Sequence, residues 1–181
     1  MKQAGRSKIQ KNMQIGRRLR EGALILLISL AIYILIALVS YHVNDPGWSY
    51  SGQTQQVSNL AGKAGAWLSD ILYSLFGYIA YLFPLAVVFI GIAIYQGQEF
   101  LNKHQNSYSK SFWLLRIVGL TTALISGCGL TTLHFYYPIN PLPMSSGGLL
   151  GAAVKMGLVS QLSYLGSTVI LLAFFLTGIT L

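Results

Sequence analysis

Charge is what this chain has least of. Asp and Glu together number 4 in 181 residues, and all charged residues make up 9%. A soluble domain carries roughly 25%, so there is too little charge here to solvate a globular surface. The one cysteine, Cys128, excludes an intrachain disulfide. Catalysis lacks its parts as well. Glu21, Asp45, Asp70 and Glu99 are scattered, no two share a helix face, and general acid–base work needs convergent groups. His42, His104 and His134 stand apart, whereas a metal site needs clustered ligands. Neither a Walker-type nor a dinucleotide-type glycine loop occurs. The expectation is therefore no catalytic, cofactor-binding or metal-binding residue in this chain.

What is present is apolar. Hydrophobic residues make up 54% and the mean hydropathy is +0.58. Residues 22–44, 71–98, 117–154 and 156–181 contain no Asp, Glu, Lys or Arg. About 20 apolar residues in a helix cross a bilayer core. The pattern predicts an all-α integral membrane protein, a bundle of four transmembrane helices over about 22–42, 68–95, 113–135 and 162–181. A basic tail, 1–21, precedes it. Residues 43–67 and 136–161 are outer loops and 96–112 an inner loop. The first apolar run is longer than a signal peptide's, and no A-x-A site follows it, which argues against cleavage. Residues 149–161 are too few to cross, and the apolar stripe at Leu150, Val154, Leu158 and Leu162 predicts a short interfacial or re-entrant helix before the last span.

Charge also orients the bundle. The tail holds Lys2, Arg6, Lys8, Lys11, Arg17, Arg18 and Arg20; Lys103, Lys110 and Arg116 fall on the same side. Only Lys63 and Lys155 face them, ten against two, which places both termini in the cytoplasm by the positive-inside rule. The net charge of +8 is read here as a topological lock rather than a nucleic-acid site. Trp48, Trp67 and Trp113 fall at the expected membrane boundaries, where amphipathic rings prefer to sit.

Small residues mark packing faces. Gly119, Ala123 and Gly127 recur at four-residue spacing, and Gly77, Pro84 and Gly91 at seven. Such stripes let helices approach closely in lipid, within one chain or between chains. Pro84 removes the bond to the Ala80 carbonyl and predicts a kink. Asp45-Pro46-Gly47-Trp48 predicts a type II turn that folds the first outer loop back toward the membrane. Asp70, three residues after Trp67, reads as a helix-end or packing residue, with a functional acid as the alternative.

Several segments in order, Arg20–Leu27, Asn44–Ser51 (NDPGWSYS), Asn59–Leu72 (NLAGKAGAWLSDIL), Phe76–Pro84, Ser145–Gly151 (SSGGLLG) and Leu171–Leu181, resemble the N-terminal membrane region of FtsK/SpoIIIE DNA translocases. The resemblance covers nearly everything after residue 19. It implies an anchor in the bacterial inner membrane at the division septum, partnered there by other division-site membrane proteins. It also implies assembly as a homo-oligomer, hexameric in the family. ATP, magnesium and DNA belong to a RecA-like motor ring that is absent from this chain, which ends inside an apolar run as a fragment would. The function implied is the membrane anchor and septal-targeting domain of a chromosome-moving translocase. A small four-span transporter or channel, or a stand-alone division scaffold, are the alternatives.

Overall fold

The computed structural model describes residues 2–49, 57–102, 109–135 and 142–181. Every regular element among them is helical: α1 (Lys2–Val39), α2 (Gly62–Phe76), a 3-10 turn (Gly77–Tyr81), α3 (Leu82–Asn102), α4 (Ser109–His134) and α5 (Gly148–Thr180). Four stretches are long and apolar enough to cross a membrane: Gly16–Val39, Gly62–Gln96, Leu114–His134 and Gly148–Thr180. The chain is thus an all-α four-span membrane protein. Most large apolar side chains of these helices, such as Leu26, Phe89, Ile117 and Leu165, point outward, the arrangement lipid demands and water forbids.

The helices fall into two groups. α3 and α2 pack on α1, α5 packs along α4, and α2 with the 3-10 turn joins the groups. Ile34, Leu38, Leu72, Tyr73 and Ala80 form the core of the first group. Tyr73 sits between Tyr41 and Tyr81, with ring centroids 5.0 and 6.0 Å away.

One joint differs from the sequence expectation. The second crossing does not kink within one helix at Pro84. It breaks at Gly77, which turns to φ 55°, ψ −135°. The chain then winds as 3-10 to Tyr81 and restarts as α3, with Pro84 the third residue of the new helix. A first-turn N–H has no intrahelical partner anyway, so proline is harmless there. Gly77, Pro84 and Gly91 therefore lie on different elements or follow a break, and do not form one helical seam. Residues 149–161 are helical and fall in α5, Gly148–Thr180, which is two helices joined at a kink. Ser163, at φ 59° and ψ 174°, divides that element. Helix also invades the expected inner loop, since α3 runs to Asn102 and α4 begins at Ser109.

Candidate functional site

The most developed polar construction lies where α1 ends and α2 begins. A helix leaves its last four carbonyls without intrahelical donors, and α1 finishes among apolar neighbours. Asn59 donates from Nδ2 to the Ala37 carbonyl at 2.8 Å, and the Tyr73 hydroxyl donates to the Leu38 carbonyl at 2.9 Å. Ser40 closes on the Ile36 carbonyl through its backbone N–H, 3.0 Å. Asn59 Oδ1 accepts from Ser40 Oγ at 3.1 Å and from the Ala61 N–H at 2.9 Å. Tyr33 reaches from α1 to the Ala61 carbonyl at 3.1 Å.

Two buried carboxylates fasten the loop between α1 and α2 to this frame. Asp45 accepts the N–H groups of Ser58 and Asn59, each at 2.8 Å, tying the loop's outgoing and returning strands. Asp70, on α2, accepts from the Ser49 N–H and Ser49 Oγ, both at 2.6 Å, and from the Tyr41 hydroxyl at 3.3 Å. Its donors are neutral, so the charge is held by convergent dipoles rather than by a cation. Tyr41 lies beyond the end of α1. Burial, and then the neighbouring Asp70 and Asp45 charges, push its hydroxyl well above the ordinary value, so it keeps the proton it donates.

This geometry replaces the expected type II turn. The tight turn runs three residues earlier, from His42 to Asp45, with the Asp45 N–H on the His42 carbonyl at 3.1 Å. Gly47 is not among the glycines at positive φ, which are Gly62, Gly77 and Gly148. Its need is space: a Cβ there would stand 2.7 Å from the Asp70 carboxyl. Trp48 beyond it is half exposed. Sequence reasoning found the Asp45–Trp48 motif and flagged Asp70, but did not connect them. It missed Asn59 and Ser49, and the only available signal was polar residues crowded into an otherwise apolar chain.

A second construction joins the two helix groups. Residues 145–148 (SSGG) enter against the break at Gly77. The Tyr78 N–H donates to the Ser146 carbonyl at 2.8 Å, and Ser146 Oγ donates to the Phe135 carbonyl. The Gly147 N–H bonds Thr132 Oγ1 at 3.1 Å. A Cβ on Gly77 would strike the Ser146 carbonyl, one on Gly148 the backbone of Leu75, and one on Gly147 or Gly151 the Cys128 carbonyl. The glycines are there because backbone meets backbone. At the C-terminal end of α4, His134 lies between Tyr164 (Nδ1 to hydroxyl 3.0 Å) and Thr168 (Nε2 to Oγ1 3.3 Å) of α5.

Of the other singled-out positions, Gly119 and Ala123 meet Gly178 across the α4–α5 contact, and Gly127 faces Ile79 and Phe175. Gly91 approaches Leu24 and Leu27 of α1. Pro84 lines a cleft of about 340 Å³ with Ala31, Leu35 and Tyr81. Arg17 pairs with Glu21 at 3.0 Å on an exposed face, a pair worth little in stability. Arg18 and Arg20 follow on α1, Lys110 and Arg116 lie in α4, and Lys103 lies outside the described residues. Among the described residues, no three His, Cys, Asp or Glu gather as metal ligands would.

Comparison with known proteins fits this architecture. The family model for the 4TM region of DNA translocase FtsK/SpoIIIE matches residues 16–181. DNA translocase FtsK of Pseudomonas putida is 40% identical over 92% of this chain. The same-named proteins of Pseudomonas aeruginosa and Shewanella oneidensis are 38% and 34% identical over 92% and 91% of it. The chain spans only about a fifth of these relatives, 19%, 20% and 17% of their lengths. No solved structure matches. With the matched region running through all four spans, the chain belongs to the FtsK/SpoIIIE family, of which it is the four-transmembrane region.

Proposed function

We propose that this chain is the anchor and septal-targeting domain of a cell-division DNA translocase, held in the bacterial inner membrane with both termini in the cytoplasm. The observation that carries the reading is the family match over residues 16–181, coincident with the four apolar helices. The domain itself performs no chemistry; it fixes the base of an ATP- and magnesium-dependent motor and gathers it beside other division-site membrane proteins, as a homo-oligomer matched to a hexameric ring. DNA translocation belongs to the motor. The transport alternative would rest on Asp70, whose carboxylate is already taken by Ser49 and Tyr41.

The test is a fluorescent fusion to the N-terminus of the full-length protein in dividing cells, with depletion as its partner. A midcell band and filaments with unpartitioned chromosomes on depletion are expected. Uniform envelope fluorescence with normal septation would overturn the reading. Coding sequence downstream of Leu181 is expected to contain G-x-x-x-x-G-K-[ST], and its absence would remove the motor from the proposal.

A further inference from the structure

Both ends of α2 meet the same turn of α1. A Cβ on Gly65 would stand 3.3 Å from that of Ala37, and the Tyr73 hydroxyl reaches the Leu38 carbonyl at 2.9 Å. Residues 65 and 73 lie about 12 Å apart along a helix axis, residues 37 and 38 only about 1.5 Å apart. A tyrosine side chain closes only part of that difference, so α2 lies across the end of α1 instead of running beside it. α3 does run beside it. Gly91 approaches Leu24 and Leu27, Pro84 shares a cleft with Ala31 and Leu35, and Ala80 packs with Ile34 and Leu38. That descending register uses α1 up to its last turn. Residues 77–96 already supply the roughly 20 residues that a crossing needs, and α2 is left over.

The surface of α2 is inverted relative to a helix in water. Its polar side chains Ser69, Asp70 and Ser74 are buried, together with Gly65 and Ala66. At about 100° per residue, Ala64, Trp67, Ile71 and Leu75 fall within about 80° of one another, on the side away from Gly65, Ser69 and Tyr73. Ala64 and Trp67 are exposed, Ile71 and Leu75 half-buried. Lys63, also exposed, stands on the edge of this face about 40° beyond Trp67. A helix against water shows the opposite pattern, polar outward and apolar inward. Val39, at the same level on α1, and Leu85 of α3 are exposed as well, so the face continues the apolar belt of the spans.

We propose that α2 is an in-plane membrane helix, seated through Ala64, Trp67, Ile71 and Leu75 in the phospholipid leaflet at the C-terminal end of α1. A phospholipid leaflet matches both parts of the face. Acyl chains cover the apolar sector, the Trp67 ring sits at headgroup level, and the Lys63 stem lies along the surface with its ammonium at the phosphates. Of the candidate stretch Gly62–Gln96, only residues 77–96 then cross. The Asn59 and Asp70 bonds acquire a purpose: they hold α2 at the depth where α1 ends and so set the depth of the bundle. With the N-terminus in the cytoplasm, as proposed above, the leaflet is the outer one. The in-plane placement itself needs neither that orientation nor the septal role.

The experiment places a nitroxide, one position at a time, on Ala64→Cys, Trp67→Cys, Ile71→Cys and Leu75→Cys of the full chain in phosphatidylglycerol/phosphatidylcholine vesicles. Buried Cys128 stays in place. Collision with oxygen against a water-soluble nickel chelate gives the depth of each label, with Leu26→Cys and Phe89→Cys as references deep in the bilayer. The four positions are expected at one depth within about 5 Å, a single helical turn, shallower than both references and within about 10 Å of the headgroups. Lys63→Cys is expected to meet the nickel chelate. A steady change of depth, about 16 Å from Ala64 to Leu75, shows an upright helix and overturns the proposal. Full nickel access at all four places the face in water and overturns it too. Low access to both reagents assigns the face to protein, a second copy where unlabelled chain relieves spin–spin broadening, and is equally fatal.

Discussion

Asp70 concentrates the cost of the loop between α1 and α2 in one side chain. It is buried, carries no cationic partner among its hydrogen bonds, and holds Ser49 through both backbone and hydroxyl. Replacing it by Asn keeps the shape but removes the ionised acceptor, and an amide N–H₂ would face a donor wherever it is turned toward the Ser49 N–H. Leaving a buried donor unmet costs about 1–3 kcal/mol. Asp70→Asn is therefore expected to lower the thermal midpoint in detergent, read by size-exclusion of heated samples, and to speed proteolysis within residues 43–61. Lys63→Gln, exposed on the same helix, is expected to leave both unchanged. Gly47→Ala should reproduce the Asp70 defect, since its Cβ would stand 2.7 Å from that carboxyl. Asp70 and the Asp45–Trp48 motif were each visible in the sequence, but their pairing was not. Twenty-one residues separate Ser49 from Asp70, and no local rule brings a loop back onto a helix at that separation.

The helices were legible as apolar runs, whereas the joint in the second crossing was not, because it is set by tertiary contact. Pro84 marked a break in the second crossing, yet the break sits at Gly77, where the Ser146 carbonyl leaves no room for a side chain. That constraint comes from a loop 69 residues away in the chain, beyond the reach of periodicity. Gly77→Ala and Gly148→Ala should therefore both be severe: each adds a Cβ at positive φ, 55° and 65°, into backbone atoms. Gly62→Ala shares the positive φ but meets nothing within 4 Å. It is expected to cost only about 1 kcal/mol, so the difference in thermal midpoint between Gly62→Ala and Gly148→Ala measures the loop contact itself. The opposite sign is expected at the other joint. Ser163 adopts φ 59° and ψ 174°, a region that only glycine occupies at ease and that stores about 1–3 kcal/mol in other residues. Ser163→Gly is therefore expected to raise the thermal midpoint, and a fall would show that the two arms of α5 are not divided there.

At the scale of the molecule, orientation is a contest of charges, which makes it adjustable. With all seven basic residues of the tail neutralised, the inner count falls from ten to three against two outside, and a bias that small no longer dictates insertion. The quadruple variant K2Q/R6Q/K8Q/K11Q keeps six against two and should insert as the wild type does. Cys128 is buried, so single cysteines introduced at Ser51 and His104 report the two faces without removing it. In cells treated with a membrane-impermeant maleimide, Ser51→Cys is expected to label at once and His104→Cys only after permeabilisation, in both the wild-type and the quadruple backgrounds. In the sevenfold-neutral background, partial labelling of both positions is expected, because two orientations then differ little in free energy. Immediate labelling of His104→Cys in an otherwise native chain would invert the proposed topology. The basic tail would then lie outside the cell, and the anchor proposal would fall with the topology.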